Sequence, residues 1–320
     1  MALVTKNIGW AKETTWGTLV APSAYPRVKT FGLNHDMNTK LVEDTTNTIK
    51  GYTKTVNLKK SVMGDIAFHA YADDMGYWLQ MVLGAATSVL HASETLVRDH
   101  TFAQGAAAQS FTLVADKGVQ NDTFLGVYGN SIKLNATNDI VEGTVNAHAK
   151  DKGTTSAYTP AVTEIDPFDF SQMNVGFGTN IAAAISATAL PVDEWEFFYS
   201  NELDTRFQSG ARTVSRIDPK IAKATGTFKQ FYLANTWESQ YTAGTEQAVY
   251  FNLKNIDVTI GTSANYQLAV KFPRVQLHKS ERPYEAGHLI VEQTEFIAMY
   301  DTVATYMVQA ILTNLATSYS

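Results

Sequence analysis

A chain of 320 residues, 45% hydrophobic and 18% charged, with 20 Gly, 8 Pro and no Cys, has the composition of a globular protein of about two domains or one large β domain. Collagen-like, disordered and disulfide-stapled chains are excluded, as are thiolate nucleophiles, Cys-ligated zinc and iron–sulfur clusters. The net charge of -6, from 31 acidic and 25 basic residues, argues against a general nucleic-acid binder held by phosphate contacts.

Met1 to Trp10 carries Lys6 and Asn7 where a secretory leader needs an apolar run, so the protein is expected to stay where it is made. Trp10 and Trp16, with Tyr25, lie in an amino-terminal arm whose aromatics need burial, either on their own domain or on a neighbouring subunit. Tyr25 to Leu33 reads as a first strand. The polar connection Asn34 to Asn57 follows, longer than the about 12–15 residues usual for an irregular loop. Lys54, Lys59 and Lys60 beside it suit a solvated face or a contact to an acidic partner. Ser61 to Tyr71 alternates, with Val62, Gly64, Ile66, Phe68 and Ala70 on one side, the period of a strand with one face on a core. Asp73 is placed to cap a helix of Met75, Trp78, Leu79, Val82 and Leu83 that Gly84 ends. Strands are predicted at Ser110 to Ala115, Phe124 to Tyr128, Ser131 to Ala136 and Glu142 to Ala149, separated by Gly, Asn and Asp turn signals.

Asp151 to Pro191 is rich in Thr, Ala, Gly and Asn and reads as part linker, part decoration. Within it, Ile181 to Val192 is too short to span a bilayer, is broken by Pro191, and reads as a packed segment. Glu194 to Ser200 is the next strand, followed by the polar connection Asn201 to Pro219. A strand at Ile221 to Tyr232, a cap at Asn235, a helical segment through Trp237 and Tyr241, and Gly244 follow. Arg274 to His278 and Ala286 to Gln293 read as the last strand pair.

This second order repeats the first. Gly64 maps onto Gly226 and Asp73 onto Asn235 at an offset of 162; Ile132 and Leu134 match Val275 and Leu277 at 143, and Glu142-Gly143 matches Ala286-Gly287 at 144. The predicted fold is mainly β, a β-sandwich or half-barrel with flanking short helices. Its predicted parts are one copy at 1–150 with the arm, a linker or insertion at 151–191, and a second copy at 192–320. The competing view is that two unrelated strand–helix–strand domains would align comparably. The long polar connections fall at equivalent places, which argues that they have a job. Residues 1–160 hold 14 acidic and 14 basic residues, 161–320 hold 17 and 11, so the excess negative charge lies in the second half.

Little of the sequence points to catalysis. The seven His are scattered, with no pair at the i, i+4 spacing of a helical zinc site. Asp73-Asp74 is explained by capping. Gly176-Phe177-Gly178-Thr179-Asn180 lacks the third Gly of a dinucleotide fingerprint and reads as a flexible loop. No nucleophile elbow or phosphate loop is present. A glycosidase pair of carboxylates from separate strands leaves no sequence trace, so that alternative stays open.

The opening Asn7-Ile8-Gly9-Trp10-Ala11-Lys12-Glu13-Thr14-Thr15-Trp16-Gly17-Thr18 is similar to the GKETTYGT start common in tail tube proteins of tailed bacteriophages. Val62-Met63-Gly64-Asp65-Ile66, Met81-Val82-Leu83-Gly84 and Ala310-Ile311-Leu312-Thr313-Asn314 extend the resemblance over nearly the whole chain. It implies two packed, mostly antiparallel sheets, whose inner strands join around a ring into a barrel, and rings that stack into a tube. A duplicated chain resembles the long non-contractile tail type, in which a homo-trimer gives a pseudo-sixfold ring; without duplication the ring would be a hexamer. The resemblance implies a structural virion protein and conduit for DNA ejection, made in the host cytoplasm, with no catalytic residue, cofactor or metal. Implied partners are further copies of itself, tail-tip or baseplate and tail terminator proteins, and, in the lumen, tape measure protein and DNA bound without sequence specificity; no membrane is involved. The two polar connections resemble the family's stacking loop. They place inter-ring contacts at Asn34, His35, Asp36, Asn38, Lys40, Glu43, Asp44, Lys50 and Lys54, and at Glu202, Asp204, Arg206, Arg212 and Arg216. A negative lumen wall is expected to repel phosphate, with the second half contributing more of that field or carrying it outside. The alternative function is a β-sandwich receptor- or carbohydrate-binding protein of a virion or surface.

Overall fold

Turn chemistry and period-two burial build most of this chain, and the long strands carry them furthest. The computed structural model describes residues 8–42, 52, 54–105, 109–117, 120–137, 139–155, 159–161, 164–284 and 289–319. The first half supplies β1 (Ile8–Lys12), β2 (Thr30–Phe31), β3 (Asn34–Leu41), β4 (Thr55–His69), helix α1 (Met75–Leu83), β5 (Ala86–Leu90), β6 (Arg98–Ala103), β7 (Phe111–Asp116), β8 (Asn121–Ala136), β9 (Glu142–Ala149) and β10 (Asp151–Thr155). The second supplies β11 (Met173–Gly178), α2 (Ile181–Ser186), β12 (Val192–Ser200), β13 (Asp204–Arg206), β14 (Arg216–Asp218), β15 (Lys223–Phe231), α3 (Thr236–Ala243), β16 (Glu246–Ile260), β17 (Ala264–Glu281), β18 (Val291–Ala298) and β19 (Gln309–Asn314). The protein is mainly β, of sandwich or half-barrel type with few short helices, as the alternation predicts.

Every named strand pairing is antiparallel. In the first half β4 lies between β2/β3 and β9, β8 lies beyond β9, and β7 and then β1 continue from the early part of β8. In the second half β15 lies between β12 and β18, β17 lies beyond β18, and β16 and then β11 continue from β17. The long strands β8 and β17 each pass from one ladder to another. Early residues of β8 pair with β7 and β10, and Ser131 to Ala136 pair with β9 and β12. Residues of β17 from Ala264 to Gln276 pair with β16, and those from Val275 to Glu281 pair with β18, so Val275 and Gln276 are paired on both sides. A bulge marks each passage. The β8–β9 register shifts between Gly129 and Ser131, and the β17–β18 register shifts between Leu277 and Lys279. An extra residue there bends the strand and sharpens its twist, which lets one strand serve two sheets.

Several sequence expectations are corrected here. Phe124 to Tyr128 and Ser131 to Ala136 are one strand, because Gly129-Asn130 forms a bulge rather than a turn. Asn34 to Asn57 is not an irregular loop, since β3 and the start of β4 lie in it as a hairpin arm. The stretch read as linker contributes β10 to the edge of β8 and β11 to the edge of β16. Gly176 and Gly178 end β11, and the Asn180 side chain accepts from the Ala183 amide to cap α2, so no flexible loop stands there. Asp73 does not cap α1: the cap position is Asp74, whose carboxylate instead accepts from the Arg27 amide at 3.0 Å and Nε at 2.6 Å. The predicted strand at Ala286 to Gln293 begins at Val291, and residues 285–288 lie outside the described set.

Packing follows from side-chain size. In β9 Gly143, Val145, Ala147 and Ala149 point inward, and Thr144, Asn146 and His148 outward. A Cβ at Gly129 would meet the Met81 carbonyl, so the small residue lets α1 lie close on β8. Trp78 of α1 is fully buried and stacks on Phe68 of β4 at 5.0 Å between ring centroids. In the second half, Trp237 of α3 packs on Phe177 and Phe228, and Trp195 stacks on Phe251 at 3.4 Å.

Among the described residues, two ladders join the halves. One is β8 to β12, from Ser131 opposite Ser200 to Ala136 opposite Trp195. The other is β6 to β19, from Arg98 opposite Asn314 to Ala103 opposite Gln309. Around the second, buried Tyr319 sits over Gly76, its hydroxyl donating to the Asp73 carbonyl at 3.0 Å, and Glu94 accepts from the Thr262 and Ser263 amides at 2.8 and 2.7 Å. Those amides hold the Glu94 carboxyl below its ordinary pKa.

His100 of β6 is fully buried between Ser88 Oγ, 2.7 Å from Nδ1, and Asn314 Oδ1, 3.0 Å from Nε2. Burial pushes its pKa down, against the Asn314 bond, and burial does the same to His148. Because the folded pKa lies below the unfolded value of 6.5, the stability is present above that pH and is lost as pH falls through the folded value. We expect the unfolding temperature to fall on acidification from about pH 6.5, and the His100→Gln/His148→Gln double variant to lose much of that slope in thermal scans.

Candidate functional site: the exposed sheet face and the hairpin arms

Eight strands run side by side in the order β3, β4, β9, β8, β12, β15, β18, β17, crossing from one half to the other at β8 and β12. From β4 to β18 one face of this run packs on the core; the other is solvent-exposed and mostly polar, with Met63 and Ile297 among its exposed residues. Charges on the exposed face come in opposed pairs. Lys133 Nζ lies 2.7 Å from Glu196, Lys229 Nζ 2.5 Å from Glu194, Lys29 Nζ 2.5 Å from Glu142, and Lys279 Nζ 2.8 Å from Glu281. Asp65 accepts from Asn146 at 2.7 Å. These charges form a lattice of exposed ion pairs on this face. Each pair is worth little to stability in water, yet each ammonium already has a carboxylate beside it. A passing polyanion meets no row of unpaired cations there, and phosphate binding depends on such a row.

The run ends on two edges. At one end β3 pairs only with β4 among the described residues, and all eight of its residues are exposed. At the other, Lys279 to Glu281 of β17 pair only with β18 among the described residues. Unpaired edges of this kind template pairing with another strand.

Two hairpin arms carry the residues singled out in the sequence. Asn34, His35, Asp36, Asn38 and Lys40 lie along β3, and Lys54 is exposed just before β4; Glu43, Asp44 and Lys50 lie outside the described residues. Glu202 precedes the β13–β14 hairpin, which carries Asp204, Arg206 and Arg216; Arg212 lies in its exposed tip. The structure brings the two arms together. The Lys60 amide donates to the Arg212 carbonyl at 2.9 Å, and Lys59 Nζ sits 4.9 Å above the Phe207 ring. Buried Val214 and Ile217 pin the second arm, while Arg216 pairs with Asp218 at 2.5 Å. Lys60 and His35 both reach Asp151, at 2.6 and 3.3 Å, so Lys60, like Lys59, is engaged within the chain.

The amino-terminal arm is organised by a residue that sequence reasoning passed over. Buried Glu13 accepts from the Gly17 amide at 2.7 Å, Thr112 Oγ1 at 3.0 Å and the Gly126 amide at 2.8 Å. Gly17 and Gly126 have φ of 74° and 62°, where a Cβ would be strained. Trp16 Nε1 donates to the Gly126 carbonyl at 3.2 Å, under the Lys150 ammonium 4.6 Å from its ring. Trp10 is buried in β1 between Tyr77 and Phe111, at 4.9 and 4.8 Å. The Lys-Glu-Thr-Thr-Trp-Gly-Thr opening is thus a tight turn tied by one carboxylate. Only its Gly after an aromatic hinted at that geometry.

A polar sheet face, open edges and protruding hairpins define a β protein equipped to continue its sheet into neighbouring molecules. The family model for the phage tail tube protein matches residues 5–297, and the chain belongs to that family. It is a structural component of a phage tail whose kind self-assembles into a tube. No curated protein matches the chain at a significant level.

Proposed function

We propose that three copies of this chain form a pseudo-sixfold ring, that rings stack into the tube of a long non-contractile tail, and that DNA leaves the virion through its lumen. The carrying observation is the eight-strand run, in which the two halves already share one sheet within a single chain. The matching ladders support a duplicated domain. β2/β3, β4, β9, β8, β7 and β1 correspond in order to β12, β15, β18, β17, β16 and β11. Both bulges agree with this correspondence, since Asn130 falls on His278, an offset of 148, and the β7–β8 shift between Phe111 and Leu113 falls on the β16–β17 shift between Gln247 and Val249. The sequence match of Ile132 and Leu134 to Val275 and Leu277 is then displaced by five residues. The first copy runs through β10 and the second begins at β11.

In this reading the exposed face of the run lines the lumen, where tape measure protein and then DNA pass without specific contacts. The arms reach the adjacent ring, with Asn38, Lys40, Glu43, Asp44, Lys50 and Lys54 on the first and Arg206, Arg212 and Arg216 on the second. Tail-tip and terminator proteins meet the two ends of the tube, since heterologous stacking does not close on itself. Negative-stain microscopy of the purified protein tests this. Stacked rings averaging to three subunits and six similar domains are expected. Monomers that persist under every assembly condition, including added tail-tip complex, would refute the tube, and six subunits per ring would refute the duplicated ring.

A further inference from the structure

We propose that successive chains join edge to edge between β17 of one and β3 of the next, with Lys279 opposite Asp36, Ser280 opposite His35 and Glu281 opposite Asn34. This rests on the ring reading above and adds to it the register of the seam. The template is the seam inside the chain, where Ser131 of β8 faces Ser200 of β12.

Two chains of correspondence lead to the register. On one side, the bulge residues Asn130 and His278 align β8 with β17, so the next residue, Ser131, falls on Lys279. On the other, Gly64 falls on Gly226. Phe31, opposite Ile66, then falls on Trp195, opposite Phe228, and five residues further Asp36 falls on Ser200. The two routes are tied together through the middle strands. Gly64 faces Ala147 and Gly226 faces Phe296, and these two residues in turn meet Gly129 and Leu277, each immediately before its bulge. The glycine match and the bulge match therefore give one answer.

Charge selects the same register. Sliding the seam by two residues keeps the faces of the strands but sets Lys279 against Asn34 or Asn38, both neutral. Only the proposed register sets the Lys279 ammonium, which already pairs with Glu281 along its own strand, against a carboxylate directly across the strands as well, and the shift that puts Lys279 opposite Asn38 would set Glu281 against Asp36. A slip of one residue would turn Lys279 and Glu281 away from the face they share with Glu295 and Gln293 in the β17–β18 ladder, or would turn β3 against β4, whose Val62 and Ile66 face the core. Asn34, His35 and Asp36, at the base of the arm, then serve the lateral seam, and the outer part of the arm is left for the neighbouring ring.

The absence of Cys makes the test direct, because an engineered pair is the only thiol pair in the protein. Asp36→Cys with Lys279→Cys, and separately His35→Cys with Ser280→Cys, are assembled, oxidised mildly and run on non-reducing gels. One of these adjacent pairs is a hydrogen-bonded site and the other is not, so at least one has geometry suited to a disulfide. A covalent ladder ending at the trimer is expected from at least one matched pair. Asn34→Cys or Asn38→Cys with Lys279→Cys should give only traces. Normal tubes in which a shifted pair links better, or in which neither matched pair links, overturn this seam and leave the tube reading standing. Wild-type protein that forms neither rings nor tubes overturns both.

Discussion

Replacing residues 40–56 by an Asn-Gly turn should leave a folded chain that forms rings but no long tubes. The cut falls beyond Asn38 opposite Lys59 and Thr39 opposite Asn57, so the base of the hairpin keeps its pairing. An Asn-Gly pair supplies the positive φ that a two-residue hairpin needs. Little stability should be lost, because β3 buries nothing: every one of its residues is exposed, and Lys40 and Leu41 contribute backbone pairing rather than core. Growth along the axis, by contrast, loses its longest reaching element. Thermal scans should therefore superpose within a few degrees on wild type, while electron microscopy shows isolated or short-stacked rings. Tubes of normal length from this variant would refute the inter-ring role of the first arm.

The largest loss of stability is expected from Trp78→Ala. Its indole is fully buried, stacked on Phe68 and enclosed by α1 and the strands beneath it. Removing a large aromatic from such a site costs about 3–5 kcal/mol, from lost apolar burial and from the cavity that close-packed neighbours cannot fill. Trp16→Ala should cost clearly less, since that ring is only half-buried and makes one long hydrogen bond. Urea titration of the two variants measures the difference. An equal or reversed order would mean that α1 is not the anchor of the first half.

What could be read in the sequence was whatever has a short period. The alternation of Val62, Ile66 and Phe68, and that of Val145, Ala147 and Ala149, showed as strands because one face of each is buried. The helical spacing around Trp78 showed α1 for the same reason. β3 was illegible because both its faces are wet, leaving no alternation in Asn34 to Leu41 to detect. β8 was divided in two because Gly and Asn favour a turn and a bulge alike, and only the partner strand decides between them. The proposed repeat has its clearest sequence sign at Gly64 and Gly226, whereas apolar pairs such as Ile132 and Leu134 match any strand and cannot fix a register. The sequence marked the arms by length alone. It could not mark the paired lattice of Lys133, Glu196, Lys229 and Glu194, since cross-strand neighbours from different strands are not adjacent in the chain.

The ladder between β6 and β19 also has a consequence for biogenesis. His100 and Asn314 are bonded across 214 residues of chain, and Tyr319 covers helix α1 from still further away. A ribosome that has translated all of the first half has therefore not yet made the strand that closes it. Contacts so distant in sequence form late, after the loop-closure entropy of everything between them has been overcome. The nascent first half is held unfinished, its helix unlidded, while its open edges are already synthesised. Closure of the first half therefore waits until β19, more than 200 residues further along the chain, has been made.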